Sequence, residues 1–261
     1  MDARMRGFLL SMLFFAAAAN AQAFDHSHAD WNALLKKHVV LLQGGKASQF
    51  RYAEMAKERA ALKAYLENLS KVKPEEFESW SRPQRMAFLI NAYNAFTVEK
   101  ILTRYPNIKS IWDFGKVFGN PFKDDFFTLL GRKFSLDGIE HDTLRKKGAY
   151  DEPRIHYAVN CASIGCPMLR EEAYVAERLE AQLAQQAERF LSDRSRNRAA
   201  AGKLEVSKIF DWFKEDFGQR EQYFARYAKL LADDPAQQKL VAEGKASLAF
   251  LDYDWTLNDV K

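Results

Sequence analysis

The chain has only two cysteines in 261 residues, which excludes a small scaffold held together by disulfides. Twelve glycines and seven prolines are too few for a collagen-like or linker-dominated architecture. No charge sign dominates, since 39 Lys and Arg face 35 Asp and Glu for a net +4. The two populations are interspersed, and beyond Arg194, Arg196 and Arg198 there is no dense basic run. Dedicated nucleic-acid binding is therefore not expected, and those three arginines read as a solvated turn. No Ser/Gly/Pro-rich linker and no fixed-period repeat divides the chain. What remains is an ordinary globular composition, 48% apolar and 28% charged, whose fold must rest on packing.

Residues 1–23 carry Arg4 and Arg6, an apolar run from Phe8 to Ala19, and the small-residue signature Ala21-Gln22-Ala23. That pattern is a secretory signal peptide, and its apolar run is short of the ~20 residues that cross a bilayer. The expectation is a cleaved leader over 1–23, no transmembrane anchor after cleavage, and one globular domain over 24–261 in the periplasm or outside the cell. Such compartments are oxidising, which makes the redox state of Cys161 and Cys166 the central chemical question.

Apolar spacing predicts amphipathic helices over 30–43, 53–69 and 171–193. Residues 83–103 open with Pro83 and stay apolar on all sides, which predicts a helix buried within the protein. Between 106 and 137 glycines and prolines break the pattern into loops and short strands, and a helical register returns over 139–146. Residues 154–160 alternate and are rich in β-formers, so a strand is predicted there. Further expectations are a short strand at 204–206, a helix after Ser207, helices over 220–232 and 235–243, and a last strand over 248–255. The sum is a helix-dominant α+β fold with a buried central helix and a small sheet.

The ordered strings MAFLINAYNAFTV, SLDGIEHDTLR, EPRIHYAVNCASIGCPMLR, SKIFDWFKEDF and LDYDWTLN, spread over roughly 30–258, resemble the exported bacterial branch of the domain of unknown function 547 family. The resemblance implies membership and no established reaction.

The densest chemistry is His156-Tyr-Ala-Val-Asn160-Cys161-Ala-Ser-Ile-Gly-Cys166. On a regular strand His156 and Asn160 share a face and Cys161 points away, so a dyad with Cys161 needs the strand to end early. Four readings of the cysteines stay open: a Cys161–Cys166 disulfide, a thiolate nucleophile activated by an imidazole, metal ligation, and inert thiols. Cys-x4-Cys is not a zinc spacing, and no metal or cofactor is expected.

In Glu140-His141-Asp142-Thr143-Leu144-Arg145 a histidine lies beside carboxylates, the raw material of a general base, and Arg145 suits either a substrate carboxylate or a buried ion pair that ties the loop down. The alternative is a helix start whose acids complement the dipole. Asn91 and Asn94 on the buried helix must each find partners, either backbone carbonyls or a substrate amide. Trp212, Phe213 and Phe217 read as packing residues, and Tyr253, Asp254 and Trp255 as a cluster that either lines a pocket or seals the core, with the seal favoured.

Two functions follow from these residues. The first is a cysteine-dependent hydrolase or acyl-transferase on peptide, amide or cell-envelope substrates. Its nucleophile is Cys161 or Cys166, its base His141 or His156, its orienter Glu140, and its positioning groups are Asn91, Asn94, Asn160 and Arg145. A buried helix followed by a His-bearing strand loosely echoes transglutaminase and papain-like hydrolases, although the helix here carries Asn where those carry Cys. The second is a binding module for a small molecule or peptide, its loop stapled by a Cys161–Cys166 disulfide.

Overall fold

The computed structural model describes residues 23–115 and 119–261. The expected leader, apart from its last residue, lies outside the described residues. The architecture is helix-dominant α+β, with one three-stranded and two two-stranded sheets among the described residues. No described helix is long and apolar enough to cross a membrane.

The first helix, Ala29–His38, buries Trp31, Leu34 and Leu35. It stops five residues before the predicted end, because the β-branched pair Val39-Val40 opens a strand, Val39–Leu42. That strand pairs antiparallel with Ala47–Phe50 through a turn in which Gly44 and Gly45 take positive φ. Helices Tyr52–Lys57 and Arg59–Lys71 follow, the second burying Leu62, Tyr65, Leu66 and Leu69.

The central helix runs Arg82–Leu102 and begins with a capping box: the Ser81 hydroxyl accepts from Gln84 N while Gln84 Oε1 accepts from Ser81 N. Every residue from Met86 to Val98 on it is buried, as its unbroken apolar character predicts. Around it packs the larger core, from Trp31 and Phe50 to Leu183. A second core gathers Tyr157, Phe190, Phe210, Phe217, Tyr223 and Phe224 beneath the sheet of Arg198–Ala200, Lys203–Val206 and Ser247–Phe250. In that sheet Lys203–Val206 pairs antiparallel with the first strand and parallel with the last.

The predicted strand at 154–160 is instead a single helical turn, Ile155–Ala158, followed by extended chain. His156 N donates to Pro153 O and Val159 N to Ile155 O, so Pro153 sits where a helix begins. All residues from 155 to 160 are buried, and burial on every side removes the alternation of a half-exposed strand. Ile155, Ala158 and Val159 belong to the larger core and Tyr157 to the second, which puts His156 at the seam between them.

Candidate functional site

Along that seam lies a cavity of about 440 Å³. Three segments build its floor. The first is Leu136–Ile139, whose N-cap Ser135 accepts from Gly138 N, continuing into a wider π turn over Glu140–Leu144 that is closed by Arg145 N donating to Glu140 O at 2.8 Å. The turn places Asp137, Glu140 and His141 on the cavity wall. The second is the turn bearing His156, and the third is the loop from Cys161 to Pro167. Trp112, Phe122, Trp212, Phe213, Tyr253 and Trp255 line the rest of the space, Phe213 stacking on His156.

The two cysteines are joined in a disulfide, their Cα atoms 6.3 Å apart, and both line the cavity. Cys161 thus shares a wall with His156, contrary to the facing that a regular strand would impose. The loop curls because the Asn160 side chain spans it, donating to Pro167 O and accepting from Ala162 N at 2.8 and 2.9 Å. Tyr253 Oη sits 3.1 Å from Cys166 Sγ and 3.3 Å from Cys161 Sγ, with burial pushing its phenol well above the ordinary range. The loop is held from outside as well. Ile164 N donates to Thr256 O and Gly165 N to Asp254 O, each at 2.8 Å, and the Arg196 guanidinium joins Ile164 O to the wholly buried Asp193 carboxylate. Arg196 is therefore a tether for this loop and not part of a solvated turn.

His156 is the best-held polar group. Its side chain is 1% exposed, Nε2 lies 2.6 Å from Asp216 Oδ2, and the ring stacks on Phe213 at 4.1 Å. Its Nδ1 has no hydrogen-bond partner and is 3.6 Å from Glu140 Oε1. Glu140 consequently faces His156, whereas the carboxylate beside His141 is Asp137, 3.3 Å from its Nε2 and one turn earlier. Of the two imidazoles that Glu140 was expected to orient, His141 or His156, it faces His156. Burial pushes the Glu140 carboxyl up, but the nearby His156 imidazole, with His141 and Arg145 behind, outweighs it and holds the carboxyl below its ordinary value. Asp216 is held down at about 2 in the same way, its burial outweighed by His156 and Arg145.

The other polar residues singled out from the sequence do structural work. Arg145 is not on the cavity wall; it pairs with Asp216 at 2.5 Å and lies over the Phe213 ring. Asn91 exchanges two hydrogen bonds with the Tyr174 backbone, 2.8 Å to its carbonyl and 3.0 Å from its N–H. Asn94 donates to Ala158 O at 2.9 Å and accepts from Asn160 N at 2.8 Å, pinning the chain on either side of Val159. Both asparagines use their amides as a surrogate strand edge for irregular backbone.

Trp212 is 43% exposed and shares the cavity with Phe213, Tyr253 and Trp255, so this group lines a pocket where packing and core sealing were expected. Asp216, Asp137, Trp112 and Phe122 were not singled out. The helical spacing of Asp137 and His141 was a usable signal for the first of those pairs, while nothing local marks Asp216.

Residues 77–191 match the family model described as Protein of unknown function, DUF547. That segment is similar to the DUF547 family. No curated protein and no solved structure matches the chain. The DUF547 segment supplies the disulfide loop, both histidines, Asp137 and Glu140, while Asp216 and the Trp212 to Trp255 wall come from chain beyond it. Among the described residues no group of three or more His, Cys, Asp or Glu is placed to hold a metal ion.

Proposed function

We propose that the protein is an exported ligand-binding module in which the Cys161–Cys166 disulfide staples one wall of an aromatic cavity that takes a small molecule or a peptide segment. One observation carries this reading. Both sulfurs in the cavity wall are joined to each other. A cysteine nucleophile needs a free thiolate, which a disulfide does not offer. The cavity volume falls within the range of small-molecule sites, and the wall is mainly aromatic with a few convergent polar groups.

The proposal includes a cleaved leader over 1–23 and a single domain over 24–261 in the periplasm or medium, where a disulfide persists. Intact mass of protein recovered from that compartment, alkylated without reductant, tests both parts. A chain beginning at Phe24, two protons light and unlabelled, supports the reading. A fast-reacting thiol at neutral pH sinks it.

A cysteine-dependent hydrolase or acyl-transferase acting on peptide, amide or cell-envelope substrates is the second reading. It is favoured by the two sulfurs sharing a wall with the buried, unpartnered His156 Nδ1. It requires the disulfide to be reduced before turnover. Under it, Cys161→Ala or Cys166→Ala abolishes turnover and leaves the fold nearly intact; a variant that only lowers thermal stability counts against it.

A further inference from the structure

Trp112 and Tyr253 stand at steep angles to their neighbours in the cavity wall. Trp112 stands 86° from Trp255 with centroids 5.3 Å apart, and 75° from Phe122 at 5.8 Å. Tyr253 is turned 50° from Trp255 at 4.5 Å and 53° from Trp212 at 4.8 Å. Trp212 and Trp255 lie nearly parallel, 25° apart at 5.7 Å, so the rings form a corner, with those two on one side and Trp112 standing across them. Trp112 and Trp212 are 39% and 43% exposed, two of the four large hydrophobic side chains left open among the described residues, and both line this cavity. An aromatic face attracts a cation through its quadrupole, most strongly for tryptophan, and Phe213 already carries the Arg145 guanidinium 4.7 Å from its centroid.

The charge on the wall has one fixed sign. Among the described residues Asp137 and Glu140 line the cavity, and no lysine or arginine does. Arg145, behind the wall, reaches both Asp216 and His141. Glu140 is ionised at neutral pH, since its neighbours hold it below the ordinary carboxylate range against the cost of burial.

From the aromatic corner and the two carboxylates we infer that the cavity takes an organic ammonium group, set against Trp112, Trp212 and Trp255 and paired with Glu140 or Asp137. This rests on the ligand-binding reading and names the ligand class for that site. The ammonium can belong to a free small molecule or to a peptide amine, and one chemistry serves both.

The test uses the full chain with its disulfide intact, titrated calorimetrically with choline and with its neutral isostere 3,3-dimethylbutan-1-ol. The expected result is choline binding roughly tenfold tighter than the alcohol, the range that cation–π contact and a carboxylate supply. Trp212→Ala and Asp137→Asn each weaken choline several-fold, and added salt weakens choline but not the alcohol. Because both side chains are partly exposed, thermal melts of these variants that match the parent show the losses to be local. Equal or tighter binding of the alcohol, abolished by Trp212→Ala, overturns the ammonium inference while leaving the cavity a binding site. Absence of choline binding also overturns it, and p-cresol, a neutral aromatic probe, then decides whether the ligand-binding reading falls too.

Discussion

His156 Nε2 lies 2.6 Å from Asp216 Oδ2, a contact that spans 60 residues and joins the DUF547 segment to the chain that follows it. Arg145 Nε donates to the same oxygen at 2.5 Å, so one acid anchors an imidazole and a guanidinium. The cavity floor depends on this anchor, because the residues on either side of the contact, His156 and Phe213, are stacked and both face the ligand space.

Asp216→Asn is expected to lower stability by about 2 kcal/mol, the cost of leaving Arg145 and a buried imidazole short of their acceptor charge. The measurement is a urea midpoint with unchanged slope. A variant as stable as the parent would mean that the contact contributes nothing net.

The same pair fixes an acid dependence. The Asp216 carboxyl is near 2 in the folded chain against 3.8 for the free side chain, so the unfolded state binds more protons between those values. Its contribution is therefore complete above about pH 4 and is lost as pH falls toward about 2, by of order 1 kcal/mol once solvent screening is counted. Glu140, also held below its ordinary value, adds to the loss in the same direction. Melting temperature against pH should fall less steeply below pH 4 in Asp216→Asn than in the parent.

The central helix and the helix-dominant α+β class were legible because a long apolar run with a capped start has few alternatives. The segment at 154–160 was not, since one helical turn is too short to show a period and its Ile, Tyr and Val favour strands on composition alone. The candidate site was half legible. Cys161, Cys166, Glu140, His141 and His156 all reach the cavity, but which acid faces which imidazole is set by the wider turn at Glu140–Leu144, which carries no local signature. Asp216 reads in sequence as one charge among several in FKEDF, and only the packing of Phe213 and Phe217 against His156 turns it inward.

Removing the disulfide with Cys161→Ser and Cys166→Ser together should cost about 2 kcal/mol, the chain-entropy value for so short a loop. The small figure follows from the five-residue separation and from the independent tethers through Asn160, Thr256, Asp254 and Arg196. Chemical denaturation with and without reductant checks it: the parent should shift and the double variant should not.

Asn94 is the residue that the central helix spends on the site. Replacing it with Leu keeps the volume but leaves Ala158 O and Asn160 N without partners in a buried place, at a cost of about 2–4 kcal/mol. Asn94→Asp keeps the acceptor for Asn160 N and sets a carboxylate oxygen against Ala158 O, so it should be destabilised more at pH 7 than at pH 4, where the side chain can take up a proton and donate. Urea denaturation at the two pH values separates these outcomes; no difference between them would show that the Ala158 contact carries no weight.

Gly165 tests whether the cavity wall depends on close backbone approach. A Cβ there would lie 2.9 Å from both Asp254 N and Asp254 O and 3.0 Å from Tyr253 Cδ1, and those backbone atoms cannot turn aside as a flexible side chain would. Gly165→Ala should therefore push the 253–256 strip away from the disulfide loop, stretch the Gly165 N to Asp254 O bond, and cost about 1–3 kcal/mol. Tyr253 and Trp255 would move with the strip, so choline binding should weaken more than stability alone explains at temperatures where the variant is still folded. Calorimetric titration below the melting transition measures this directly, and unchanged affinity there would show that the aromatic wall is positioned by Trp212 and Trp112 without help from the strip.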